Sequence, residues 1–268
     1  MQISHQLIPK LKSLRLSGIL ETLEVRNRQA IDDKLSYVEF LQRLLEDEVE
    51  RRAQKQLALR LRRASFDTDK TLEGFDFAFN PSINRQQVRD LAACHFIERK
   101  ENVLIQGPAG VGKSHLAQAL GHEACRRGCD VVFSNSTRML QHLNGGRADG
   151  TYEKRLQHYA RPALLILDDF GLKALHPPAP EDFYDVINER YERGSMIVTS
   201  NRAFSEWPDL FHSPLLASAA LDRLADHAHQ LVITGDSYRA KGRRPAARPD
   251  KGGSAGSSKK EIVQPRPS

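Results

Sequence analysis

At 268 residues, 40% hydrophobic and 28% charged, the chain has room for one α/β core with a smaller appendage and the composition of a soluble globular protein. Three cysteines (Cys94, Cys125, Cys129) exclude a disulfide framework and lack a second pair for zinc, and no apolar run can span a bilayer; with no signal-peptide core in residues 1–15, a cytoplasmic location and no membrane partner are expected. The net charge of +6 is uneven: residues 1–65 hold 13 Lys/Arg against 9 Asp/Glu, residues 66–239 hold 19 against 23, and residues 240–268 hold 8 against 2, so an anionic partner, with nucleic acid first, is expected at the ends.

The chain opens with helical spacing. Leu7, Leu11 and Leu14 share a face, and Ile19, Leu20 and Leu23 resume it after Ser17-Gly18. Ser36 with Glu39 three residues on is a capping box, and it opens a long helix whose apolar face reads Val38, Leu41, Leu45 and Val49. The second half of that helix interleaves Arg51, Arg52, Lys55, Arg60, Arg62 and Arg63 with Leu57, Leu59 and Leu61. Such a helix can lie against DNA phosphates or pack on a neighbouring subunit, so residues 1–65 are expected to be a helical DNA-binding and oligomerisation domain.

Residues 66–81 turn aromatic and acidic, ending at Pro81, and read as a linker lying on the core whose aromatics wall a base pocket. A helix is expected over Ile83–Glu98. The core, expected over residues 66–241, then presents its most specific stretch. Val103-Leu104-Ile105 is a short apolar strand, Gly107-Pro108-Ala109-Gly110-Val111-Gly112-Lys113-Ser114 follows it, and Leu116, Ala117 and Leu120 begin a helix. Strand, GxxxxGK[ST] turn and helix in that order bind the phosphates of a nucleoside triphosphate. Glycines let backbone N–H groups converge on an anion, and the helix N-terminus adds partial positive charge. Lys113 is expected to reach the β- and γ-phosphates, Ser114 to help hold Mg²⁺, and His115 to close the loop's binding stretch.

Asp130–Phe133 reads as a second strand, Thr137–Leu143 as a short helix, Asn144–Gly150 as a polar loop, and Tyr152–Tyr159 as a helix carrying Lys154 and Arg155. Ala163–Leu167 is continuously apolar, as a parallel strand buried on both faces must be. It ends in Asp168-Asp169, at the strand end where α/β sheets place ligands. Asp168 is expected to hold Mg²⁺ and Asp169 to orient or deprotonate the attacking water; capping of the next turn is the blander role for Asp169. Leu175–Pro180 is a proline-rich loop, Glu181–Glu192 a helix, and Met196–Thr199 a fourth strand running into Ser200-Asn201. Asn201 can hydrogen-bond the γ-phosphate or that water, or serve only as turn chemistry. His227 and His229 are too few for a metal site. Residues 242–268, rich in Pro, Gly, Ser and basic residues, are expected to be a disordered basic tail.

The phosphate loop, LLILDDFG at Leu164–Gly171, VTSNR at Val198–Arg202, Glu206-Trp207, ALDRL at Ala220–Leu224 and GDSYR at Gly235–Arg239 occur in that order. This set resembles the IstB-like helper ATPases of bacterial insertion sequences, relatives of the DnaC helicase loaders within the AAA+ class. The resemblance implies an AAA+ P-loop fold: a parallel sheet flanked by helices, preceded by the small all-α domain. It implies that Asn201 is sensor 1, that Arg223 reaches the γ-phosphate of a neighbouring subunit, and that Arg239 is sensor 2 within its own subunit. It further implies DNA contact by the amino-terminal helices, including Arg51, Arg52 and Lys55, and by the segment bearing Arg147, Lys154 and Arg155. The expected protein is a homo-oligomeric ATPase on duplex DNA, of weak sequence preference, assisting a transposase; a helicase loader is the alternative. A small-molecule phosphotransferase fits less well, because Asp168-Asp169, Asn201 and Arg223 prepare water rather than an acceptor hydroxyl. Where many AAA+ enzymes carry Asp-Glu, this chain carries Asp168-Asp169, a carboxylate one methylene shorter at the water.

Overall fold

The computed structural model describes residues 6–67 and 69–238. Arg239 and the expected tail at 242–268 lie outside the described residues.

Three helices lead: α1 (Leu7–Ser13), α2 (Ser17–Asp32) and α3 (Tyr37–Ala64). The capping box forms as expected, with Ser36 Oγ accepting from the Glu39 N–H and Glu39 accepting the Ser36 N–H at 2.8 Å. The face of α3 that packs is not the expected one. Leu44 joins Leu11, Ile19 and Leu23 in a small cluster with Phe40 alongside, while Val38, Leu41, Leu45 and Val49 stay 48–75% exposed. Charge and capping decide between the faces. The start of α2 has no capping side chain of its own, and buried Glu48 supplies one by accepting the Gly18 N–H at 2.6 Å. Arg26 adds a two-pronged pair to Asp47 at 2.6 and 2.8 Å. These contacts hold α2 against the Leu44 side. Further along, Leu57, Leu61 and Ala64 of α3 pack into the main core, so the last turns of α3 belong to both parts.

The expected helix over 83–98 is two helices, α4 (Arg85–Ala92) and α5 (His95–Glu98). Cys94 breaks it with a left-handed backbone, φ 61°. The core follows as β1 (Val103–Gln106), α6 (Lys113–Arg126), β2 (Val131–Asn135), α7 (Ser136–Asp149), α8 (Tyr152–Ala160), β3 (Leu164–Phe170), α9 (Ala179–Arg190), β4 (Ser195–Ser200), α10 (Pro214–Ala225) and β5 (His229–Val232). All pairings are parallel, in the order β2-β3-β4-β1-β5.

Strand residues alternate between two apolar layers. Leu104, Leu165, Leu167 and Val198 face a layer built on Met139, Leu143, Phe183 and Val186, on α7 and α9. Val103, Ile105, Ile166 and Ile197 face Val88, Leu91, Leu116 and Leu120, on α4 and α6. Crossover helices on both faces are what an all-parallel sheet requires. Cys94 and Cys125 are buried in the second layer, and burial pushes their thiols up to about 11 and about 12.

Helix α7 does not stop at Leu143. It runs through Asn144-Gly145-Gly146 and ends at Gly150 in the left-handed conformation. The glycines, which read as a loop signal, serve a crossing: a Cβ on Gly146 would stand 2.9 Å from the Tyr152 Cα of α8. Strand β5 carries no buried run of its own (only Leu231 is fully inside), which is why the sequence does not announce it.

A cavity at the carboxyl ends of the strands

Strands β1, β3 and β4 end side by side at Gln106, Asp168-Asp169 and Ser200, and the phosphate loop springs from the first of them. A cavity of about 560 Å³ opens there, the size of a nucleotide site. Ala109, Gly110, Val111, Gly112, Lys113, Ser114 and His115 line it from the loop, with Asp169 and Asn201 opposite. Gly112 caps α6 at φ 103°, a conformation that costs other residues energy, and a Cβ there would also press within 3.0 Å of the Phe75 ring. Gly107 and Pro108 lie behind the lining; Pro108 offers its carbonyl to Lys113 Nζ at 2.8 Å. Lys113 Nζ also donates to Asn201 Oδ1 at 2.5 Å, so the lysine bridges the loop and the end of β4. His115 is committed elsewhere, its Nε2 lying 2.8 Å from the Thr71 carbonyl and its ring 5.1 Å from Phe75.

The other wall is aromatic. The 66–81 linker lies on the core and brings Phe75, Phe79 and Asn80 to the cavity. Tyr238 closes the same end: its N–H donates to the Gly110 carbonyl at 2.9 Å and its ring packs edge-on against Phe79 at 4.9 Å. The GDSY segment therefore lies over the phosphate loop.

The two carboxylates do not point alike. The register between β3 and β4 slips between Leu167 and Phe170, a bulge that falls on Asp168-Asp169. Bulges next to active sites re-aim side chains. Asp168 stays 8% exposed, its Oδ1 accepting from Thr199 Oγ1 at 2.5 Å. Asp169 takes φ 57° and lines the cavity, its backbone N–H donating to the same Thr199 hydroxyl at 3.0 Å. Thr199 thus fixes both acids, a role the sequence hides because a threonine in MIVTS reads only as a strand former. The donor set suits magnesium: a Ser114 hydroxyl and carboxylates at the strand end are hard oxygen ligands, few enough to leave positions for phosphates and water.

Arg223 does not join this cavity. It projects from the last turn of α10 into a separate pocket of about 250 Å³ with Arg99, Lys100 and Arg190, donating to the Ala219 carbonyl at 3.0 Å and lying 5.4 Å from the Tyr184 ring. Arg239 lies outside the described residues.

Of the residues expected to meet DNA, several are engaged within the chain. Arg147 grips fully buried Asp182 at 2.6 and 3.0 Å and lies over the Tyr152 ring at 4.2 Å. Arg155 bonds Asp149, the Thr151 hydroxyl at 2.8 Å and the His142 carbonyl at 2.6 Å. Both guanidinia fasten α7 to α8 and α9. Arg51 pairs with Glu21, and Arg52 with Glu48 at 2.7 Å. Lys55 and Lys154 are exposed.

A sequence profile described as IstB-like ATP-binding protein matches residues 9–246. An insertion-sequence ATP-binding protein of Mycobacterium tuberculosis is 44% identical over 234 residues, 87% of this chain and 93% of the relative. The ATP-binding protein of insertion sequence IS21 from Pseudomonas aeruginosa is 40% identical over 242 residues, 90% and 91% of the two chains. Among solved structures, the replication initiator DnaA bound to AMPPCP and single-stranded DNA superposes with a TM-score of 0.52 at 24% identity, over 64% of this chain and 52% of that one. DnaI superposes at 0.53 and 20% identity, over 61% and 90%. These two share the fold of this chain's core.

Proposed function

The chain belongs to the IstB-like ATP-binding family of insertion sequences, and from that premise we propose that it hydrolyses ATP, assembles as an oligomer on duplex DNA and assists a transposase. The observation that carries the hydrolytic half is the convergence of Lys113, Asp169 and Asn201 on one cavity. Lys113 binds the β- and γ-phosphates and gives up Asn201 as it does so. Asn201, freed from the lysine, turns to the γ-phosphate or to the attacking water. Asp169, held clear of the strand by the bulge, orients that water and takes its proton. Mg²⁺, held by Ser114 and Asp168, would neutralise charge developing on the phosphates. With an aspartate in place of the longer glutamate the water is held at greater reach, and slow hydrolysis suits a switch that times assembly.

The DNA and transposase half draws its support from the insertion-sequence relatives and the basic amino-terminal region. Those relatives favour a transposition helper over a helicase loader. Among the expected DNA contacts, Lys55 and Lys154 remain the exposed cations without a carboxylate partner among the hydrogen bonds and ion pairs of the described residues. Binding to a fluorescent duplex with and without ATP tests the reading. Affinity should rise with ATP and fall linearly on a log–log salt plot; nucleotide-independent or salt-insensitive binding overturns it. Lys113→Ala should abolish ATP binding, and retained affinity would remove the site assignment.

A further inference from the structure

We propose that Tyr184 and Tyr191 are positioning residues for Arg223: they hold its guanidinium against two rings and clear of any carboxylate, which leaves its charge for a phosphate of a neighbouring subunit. The inference rests on the oligomeric ATPase proposed above, with Arg223 serving it in trans.

Arg223 stands in the last turn of α10, half-buried, and lines the pocket of about 250 Å³ whose wall includes Asn102 and Met196. Its Nη1 donates to two neutral acceptors, the Ala219 carbonyl at 3.0 Å and the Tyr184 hydroxyl at 3.3 Å. Its Cζ lies 5.4 Å from the centre of the Tyr184 ring and 6.0 Å from that of Tyr191. A guanidinium within about 6 Å of an aromatic face is attracted to it and keeps its full charge. Among the described residues no ion pair includes Arg223, and Nε and Nη2 have no hydrogen-bond partner. Those two nitrogens form the edge that can meet two phosphate oxygens at once.

Carboxylates are nevertheless at hand. Asp226 and Glu192 line the same pocket, and Asp226, three residues on from Arg223, is at the spacing of helical neighbours. Tyr191 occupies it. The Tyr191 hydroxyl donates to Asp226 Oδ2 at 2.8 Å, while Oδ1 faces His227 Nε2 at 3.5 Å. The bond to Asp226 raises the Tyr191 phenol above its ordinary value, so the tyrosine keeps its proton and remains a donor. A carboxylate engaged in this way is drawn off the arginine. Paired within its own chain, the guanidinium would offer a partner's phosphate much less attraction.

Both tyrosines are anchored. They are seven residues apart, at two turns' spacing on α9 and the residue that caps it, and so share one face. Tyr184 packs against the apolar layer of Phe183 and Val186, and the Tyr191 backbone N–H donates to the Ile187 carbonyl at 2.8 Å.

The test measures steady-state ATP hydrolysis by the full chain and by mixtures of variants. Tyr184→Leu should cut kcat about 100-fold at unchanged equilibrium affinity for ATP, the loss expected of a misplaced catalytic group. An equimolar mixture of Tyr184→Leu and Asp169→Asn subunits should exceed both components. Tyr184→Leu mixed with Arg223→Ala should not, since both lack the same side of the shared site. Tyr191→Phe removes a single oxygen and carries the test if the leucine variant does not fold. It should lose kcat about tenfold, and Tyr191→Phe/Asp226→Asn should regain it, because asparagine cannot neutralise the guanidinium. Unchanged kcat in Tyr184→Leu or Tyr191→Phe overturns the proposal. So does a Tyr184→Leu loss that Asp169→Asn subunits leave uncorrected, which marks packing within one subunit, and so does a Tyr191→Phe loss that Asp226→Asn leaves in place. Failure of the shared-site reading would look different: Arg223→Ala alone would then hydrolyse ATP like the unmodified chain.

Discussion

Asp168 and Asp169 are adjacent in sequence and separate in role, and the bulge on β3 is the cause. In a regular strand, successive side chains point to opposite faces, so one acid would be thrown into the apolar layer beneath the sheet. The register slip between Leu167 and Phe170 absorbs the pair, at the cost of a left-handed backbone at Asp169. Thr199 pins the result by donating to Asp168 and accepting from Asp169. Thr199→Val keeps shape and burial but removes both bonds. We expect kcat for ATP hydrolysis to drop roughly 10- to 100-fold with little change in ATP affinity, as for other residues that orient ligating groups. Thr199→Ser should restore most of it, and the Mg²⁺ concentration giving half-maximal rate should rise only in the valine variant. An equal loss in both variants would assign the threonine to packing instead.

At the scale of elements, what was legible followed from strong local signals. The phosphate loop with its flanking strand and helix, the capping box at Ser36 and the buried strand at 164–167 are each over-determined by residue type and spacing. The errors came where tertiary contact outweighed local preference. Gly145-Gly146 reads as a loop until α8 is seen to press on it, and the Val38–Val49 stripe reads as a core face until Glu48 and Asp47 are seen to fix α2 on the other side. Arg147 and Arg155 carry a bracing role that the sequence does not announce, gripping Asp182 and Asp149, 35 and 6 residues away. Arg190 belongs to the same class. It is 1% exposed at the end of α9 and donates to the carbonyls of Tyr159, Ala160, Pro162, Ala163 and Ser195, fastening the entrances of β3 and β4. Among the described residues no carboxylate pairs with it. Arg190→Met would leave those buried carbonyls without donors, so urea unfolding should show a loss of at least about 3 kcal/mol. A loss below about 1 kcal/mol would mean that water reaches them.

On the scale of the whole molecule, Arg223 and the phosphate loop stand at opposite ends of the sheet. Lys113, Asp169 and Asn201 line a cavity at the carboxyl ends of the strands. Arg223 lines a pocket with Asn102 and Met196, which stand at the amino ends of β1 and β4. A four-residue strand such as β1 spans about 13 Å, so the sheet itself lies between the arginine and its own phosphate loop. A guanidinium that stabilises the transferring phosphoryl group can be worth ~10³–10⁵ in rate, and in this fold it can be supplied only to another subunit. If that is its role, hydrolysis belongs to the assembly, and ATP binding and subunit contact report on each other. Mixing variants decides the point. Arg223→Ala subunits keep an intact cavity and lack the finger; Asp169→Asn subunits keep the finger and lack the base. Each alone should be nearly inactive, while an equimolar mixture should recover about a quarter of the activity where interfaces form at random, since that fraction joins an intact cavity to an intact arginine. A mixture no more active than its parts would place Arg223 in the packing of Tyr184 alone, and the shared site would be lost with it.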